Sequence, residues 1–530
     1  MLKPLADRNN LARRCLAALA SAALVVATSL LPLAPAFAQV GGGGLGGGGL
    51  GGGGMGGGGM GGGGMGGGGM GGGGMGGGGM GGGGMGGGNQ GGFGGGGQGG
   101  RPTVGGVVID AQGVLRTRFL SDAGLSRQRL SAAYAALPGD VRERSALRKV
   151  ALSRLEAEVA AAAADGRDIG DDLLKLAGLS RVQYVFVYPG EGGRPGEVVI
   201  AGPAEGWISD ATGRVVGIAT GSPTLLLEDL AAALRAFPPG APTDGRIGCS
   251  IDPRQEGLKA LQQFINKVGR VNPRANPAEL VAGMVEALGP QDVTIEGVSP
   301  TTHFAQVLVE ADYRMKLIGI GLERVPARGM KSWVELNAVS GVATNALQRW
   351  YFTPDYECVR STDDDLSIEL VGRGVKLVGA DEMVTADGQR MSADRADRAS
   401  KTFTETFTRK YPEIAARNPV YAQLRNLVDL SVVAAWLQEH DGYGKAAWDA
   451  ATIRDESAFP IERLVAPVEV SPAVNAIQRG NRLVTPIGGG VTMQPRLALA
   501  PDQVVGDDDG TVASARDEAL TLPAGRWWWD

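Results

Sequence analysis

The chain has 530 residues, with 51 Lys and Arg against 56 Asp and Glu, for a formal net charge of −5. A mildly acidic chain with no basic tract argues against nucleic acid or anionic lipid as the main partner. Only two histidines and three cysteines occur, which excludes the His- and Cys-rich zinc signatures.

Lys3, Arg8, Arg13 and Arg14 form a basic start, followed by the apolar run CLAALASAALVVATSLL at 15–31 and APAFAQ, with small residues at Ala36 and Ala38. The pattern predicts a secretory signal peptide over 1–38, cleaved before Gln39. The apolar run is a little short for a spanning helix, and Pro32 and Pro35 break it. Losing its four basic residues and one acid takes the net charge from −5 to −8. No second apolar stretch is long enough to span a bilayer, so no transmembrane span is expected after cleavage. The expected localisation is secreted, periplasmic or cell envelope.

Residues 39–100 are a glycine-rich tether. Four glycines and a Leu or Met repeat nine times between Gly41 and Met85. Glycine loses the most backbone entropy on ordering, and one apolar side chain in five cannot offset that loss by burial. The segment is therefore read as disordered. Its seven methionines have no His or Cys nearby to complete a copper site, so it is read as a spacer and no cofactor is expected.

The globular part begins with TVGGVVIDAQGVLRTRF at 103–119, a hairpin whose Gly113 suits a left-handed turn position. The same D-A-x-G turn recurs at Asp210–Gly213, and a related turn stands at Asp387-Gly388. These turns lack the successive oxygen ligands of a calcium loop. Helices are predicted over 125–137 and 140–164, broken by Pro138-Gly139. Strands follow at VQYVFVYP and EVVIAGPAEGW. A helix over 222–237 is expected to start at Ser222-Pro223. Pro238-Pro239-Gly240 marks a boundary between an N-terminal subdomain, 101–240, and a C-terminal one, 241–465.

The second stretch opens with the strand GRIGCSID. A helix from Pro253 is capped by Asp252, and Asp252 to Gln255 fits a capping box. A helix over 277–288, a strand at 292–298 and a helix from Ser299 or Thr301 come next. Strands near 350–359, 366–371 and 374–379 suggest a sheet that these helices cover. A long helix begins at Asn418-Pro419, with Leu424, Leu427, Val428, Val432 and Trp436 striped toward a core. Residues 466–530 read as an irregular extension ending in Trp527-Trp528-Trp529-Asp530. Three adjacent Trp cannot all be buried by one strand face, so they dock back or bind a partner. The fold class is α+β, with mixed sheets, covering helices and two subdomains.

The phrases EVVIAGPAEGW (197–207), CSIDPRQEGL (249–258), ADYRMKLIGIGLE (311–323), WYFTPDYECV (350–359) and PEIAARNPVYAQLRNLVDL (412–430) resemble a family of uncharacterised secreted bacterial proteins of planctomycete type, a domain of unknown function. The resemblance spans most of 103–495. It implies a secreted location and one structural unit covering both halves, and it carries no catalytic residues.

Three groups of residues are the candidate sites. Glu296 ends a strand and His303 opens a helix, with Glu310 and Asp312 further along it; a strand end facing a helix N-terminus is where α/β ligands bind. Asp252 and Glu256 follow Cys249. Asp363, Asp364 and Asp365 could hold a metal or pair as acid and base in glycan hydrolysis, although neighbouring acids in a turn are usually solvated. Cys249 and Cys358 are either a disulfide or two separate buried thiols, and the sequence leaves both open. The preferred functional reading is a non-catalytic interaction or structural module on a tether, with an unknown protein or glycan partner in the envelope. The alternative is a secreted carboxylate-dependent hydrolase of glycan or peptide.

Overall fold

A computed structural model describes residues 106–110, 112–117, 127–190, 195–241, 243, 245–268, 277–324, 327–336, 346–355, 357–384, 390–392, 398–475, 488–520, 523 and 525–530. The expected signal peptide, the glycine segment and the Asp387-Gly388 turn lie outside the described residues.

The architecture is α+β, with two large mixed sheets. The nine-stranded sheet runs in the order Val107–Ile109, Val114–Thr117, Glu469–Val470, Gln291–Glu296, Ile247–Pro253, Gly489–Met493, Ala346–Pro354, Val375–Val384, Arg390–Ser392. Strand Gly489–Met493 lies parallel to Ala346–Pro354 and antiparallel to Ile247–Pro253. The seven-stranded sheet runs Val505–Gly506, Val359–Ser361, Ser367–Leu370, Tyr184–Tyr188, Glu197–Ala204, Ser145–Ala151, Trp528–Trp529.

Neither sheet divides at residue 240. The 107–117 hairpin joins the sheet built mostly from 247–392, and the 359–370 hairpin joins the sheet built mostly from 145–204. The stretch after 465, expected to be irregular, supplies strands to both. The physical reason is a shared interior, because one apolar cluster takes in Val107, Leu155, Val185, Phe304, Trp350 and Trp436 together.

That interior is centred on helix Pro419–Glu439, buried from Val420 to Leu437 apart from Arg425. Asn418 stands at its N-cap position and Pro419 in its first turn, as the sequence predicts. The stripe expected to face a core is only part of the buried surface, because this helix is enclosed on all sides. It packs against helices Leu227–Ala236 and His303–Gly319, and the latter covers strands Ile247–Pro253 and Gly489–Met493.

The helix expected over 140–164 is in part a strand. Ser145–Ala151 pairs with Glu197–Ala204, and helix Leu152–Ala164 begins only after it. Sheet pairing overrides the Ala-, Arg- and Glu-rich local preference, with Val150 and Ala151 fully buried. Helices Arg398–Arg409 and Tyr411–Arg417, unforeseen in the sequence, carry Phe403, Phe407 and Tyr411 into an aromatic cluster with Phe352 and Tyr421.

The terminal tryptophans dock. Trp528 pairs with Val150 and Trp529 with Lys149. Trp528 enters the main core while Trp529 enters a second cluster with Tyr184 and Phe186. Adjacent strand residues point to opposite faces, and both faces of this sheet are covered.

Candidate functional site

His303 is the first residue of helix His303–Gly319. The cap is Thr302, whose hydroxyl accepts from the Ala305 amide at 3.3 Å and donates to the Ser299 carbonyl at 2.7 Å. The expected caps Ser299 and Thr301 stand just outside this turn. Facing His303 is the first turn of helix Leu227–Ala236, which carries Glu228 and Asp229. That helix begins later than its Ser222-Pro223 start predicts, because Pro223 bridges to Val216.

His303 and Asp229 are both buried, and Nδ1 of the imidazole lies 2.9 and 3.0 Å from the two carboxylate oxygens. Its Nε2 is 3.4 Å from the amide nitrogen of Gln423. The Gln423 carbonyl oxygen accepts from Arg214, which also grips Glu310 through two bonds of 2.9 Å. Arg314 joins Glu310 at 3.2 Å and Glu323 at 2.6 Å. Arg214 is set in place by the Asp210–Gly213 turn, where the Asp210 carboxylate accepts from the Arg214 amide at 3.0 Å and Gly213 takes the left-handed conformation, φ +82°. The D-A-T-G motif is thus a turn that aims an arginine.

Burial works against a charged imidazole, but the charge and hydrogen bond of Asp229, with the nearby Glu228, outweigh it, and His303 is pushed up to about 9. Burial and then the like charge of Asp229 raise Glu228, while His303 and Arg463 oppose that rise. His303 and Gln423 form one wall of a small cavity of about 120 Å³. Lys175, Glu228 and Arg463 bring charge to it, and Leu174, Val215 and Leu226 bring apolar surface.

The structure separates the residues that the sequence groups with His303. Glu310 joins His303 only through Gln423 and Arg214. Asp312, fully buried, pairs with Lys316 at 2.8 Å beneath the nine-stranded sheet, where Lys316 also donates to the Ile251 carbonyl at 3.2 Å. Burial pushes the Asp312 carboxyl up to about 6 despite that lysine. Glu296 is exposed and lines a different cavity of about 330 Å³, shared with Arg246, Ser250, Thr294, Arg349 and Tyr351.

Asp252 pairs with Arg349 at 2.9 Å, and the helix after it starts at Gln255, with Glu256 exposed in its first turn. The three neighbouring acids take separate roles in the turn between strands Val359–Ser361 and Ser367–Leu370. Asp363 is exposed. Asp364 accepts from Thr362 and pairs with Arg516, each at 2.7 Å. Asp365 takes a left-handed conformation, φ 51°, with His440 at 3.4 Å. Asp364 is partly shielded from water, which opposes its charge, yet those partners hold its carboxyl below the usual range.

Cys249 and Cys358 are free and buried. Cys249 lies in the nine-stranded sheet and Cys358 beside Val359–Ser361 of the other, so the disulfide alternative gives way to two thiols. Burial raises both, Cys358 to about 12. Among the described residues, no group of three His, Cys, Asp or Glu is placed to hold a metal, and no helix is long and apolar enough to cross a membrane.

Sequence reasoning singled out His303 but missed Asp229, Arg214, Gln423, Glu228, Lys175 and Arg463. A signal existed for two of them. Asp229 interrupts an apolar helix face in LLLEDLAAAL, and Gln423 stands in a helix otherwise rich in Leu, Val and Ala.

Residues 249–333 match the model of a family described as a protein of unknown function, DUF1598. The match takes in Glu296, His303, Glu310 and Asp312 and leaves out Asp229, Arg214 and Gln423. Comparison with curated proteins and with solved structures gives no match. The chain therefore contains a DUF1598 domain of unknown function at 249–333.

Proposed function

We propose that this is an exported bacterial envelope protein whose folded part is a non-catalytic interaction or structural module carried on a flexible glycine-rich tether. The signal-like start, the nine glycine repeats and the resemblance to secreted bacterial proteins support export and tethering. The observation that carries the non-catalytic reading is the buried charge network that holds His303. Asp229, His303, Gln423, Arg214, Glu310, Arg314 and Glu323 follow one another in an unbroken chain of contacts. A buried ionic network of this kind specifies packing. A general base must instead reach the proton it abstracts, and both nitrogens of His303 face groups of this network.

The test uses the mature chain, 39–530, incubated with purified envelope polymer and with peptide substrates. The expected result is co-sedimentation with the envelope and no released sugar ends or peptides. Turnover that is lost in Glu296→Gln or His303→Gln would overturn the reading in favour of the hydrolase. N-terminal sequencing of native protein should begin at Gln39, or be blocked if Gln39 has cyclised; an intact Met1 on membrane-bound protein would refute cleavage.

A further inference from the structure

The groups around the cavity beside His303 are not all satisfied by the protein itself. Arg214 has only donors, so the Gln423 oxygen it binds is fixed and the amide nitrogen must face His303 Nε2. His303 gives Nδ1–H to Asp229. The imidazolium favoured by its two acidic neighbours then points Nε2–H at another donor. Two N–H groups therefore converge beside the cavity without an acceptor between them. Arg463 reaches the same cavity from the surface, and no described residue hydrogen-bonds its guanidinium. Lys175 is different, because it is already paired with Asp171.

The one carboxylate among the described lining residues is Glu228, and no described residue donates a hydrogen bond to it. Its charge interacts with His303, Asp229, Arg463 and Lys175. The cavity thus offers open donors, an open acceptor and an apolar remainder. At about 120 Å³ it is well below the ~300–1,000 Å³ of pockets for drug-sized ligands, so it admits only a handful of non-hydrogen atoms.

We propose that this cavity binds a free α-amino acid with a small side chain, its carboxylate on Arg463, His303 and Gln423, its ammonium on Glu228, and its side chain against Leu174, Val215 and Leu226. A simple carboxylic acid would set a second negative charge beside Glu228. A simple amine would leave the converging N–H groups without an acceptor. Buried polar groups left unpaired are what give a site discrimination against analogues. The zwitterion answers both ends.

Isothermal titration calorimetry on the mature chain at neutral pH tests this with glycine, L-alanine, L-serine, L-valine, propionate and L-alaninamide. At least one of the amino acids should bind, and propionate and alaninamide should each bind at least about tenfold more weakly than alanine. Arg463 is exposed, so Arg463→Ala should melt like the wild type and bind alanine at least about tenfold more weakly. Glu228→Gln should abolish the preference for alanine over propionate. No binding of any amino acid, propionate binding as tightly as alanine, or an unchanged affinity in a folded Arg463→Ala protein would each overturn the proposal.

Discussion

Arg148 and Asp530 stand 382 positions apart and form a two-pronged ion pair, at 2.8 and 3.0 Å, with the guanidinium wholly buried and the carboxylate half exposed. Arg148 also donates to the carbonyls of Val141, Glu143 and Ala177 and lies 4.6 Å from the ring centre of Trp528. Asp530→Asn strips the counter-charge from a cation that stays inside. The expected loss is about 3 kcal/mol, at the low end for breaking a buried pair because one partner is half in water. Partial burial of Asp530 opposes its charge, but Arg148 and nearby groups hold its carboxyl below its ordinary range. A depressed carboxyl stabilises the fold above its unfolded pKa and loses that effect as pH falls through the folded one. Urea midpoints of wild type and variant should therefore differ at neutral pH and converge in acid.

The alternation of Trp528 and Trp529 across one strand makes a second prediction. Each is buried, in a different cluster, so Trp528→Ala and Trp529→Ala should each cost about 3–5 kcal/mol. Trp527, only partly buried, should cost less. Equal, small effects at all three positions would mean that the tail does not dock in solution.

His303 predicts a loss of stability in alkali. Its folded pKa of about 9 exceeds the unfolded value of about 6.5. The contribution, on the order of 3 kcal/mol, is fully present below the unfolded value and lost as pH rises through the folded one. Asp312, also raised, acts in the same direction but in a separate, more acidic window. His303→Gln should remove the alkaline slope and leave the acidic one. A wild-type denaturation midpoint that does not fall between neutral pH and the folded pKa of His303 would contradict the assignment.

Buried, raised thiols react slowly. Cys249 and Cys358 should resist iodoacetamide in the native protein and alkylate fully once it is unfolded. Non-reducing digestion and mass spectrometry should show no peptide joining them, and reducing agent should leave the melting temperature unchanged.

Elements with strong local signals are legible in the sequence alone. The helix start at Asn418-Pro419, although Asn418 makes no side-chain capping bond, the helix over 277–288 and the glycine turns at 113 and 213 all stand where the sequence predicts them. Strand Ser145–Ala151 was hidden because its identity depends on neighbours at 197–204 and 528–529. The site was legible only at His303. Its partners come from residues 175, 214, 228–229, 423 and 463, and no local pattern links positions so far apart. Glu296 and His303, close in sequence, line different cavities.

Strand Gly489–Met493 has a bearing on biogenesis. It sits between Ile247–Pro253 and Ala346–Pro354, so the larger sheet stays split until about residue 493 has left the ribosome. Pairings of such long sequence separation form slowly. A nascent chain that lacks this strand cannot close its central sheet, so the larger sheet completes only near the end of synthesis.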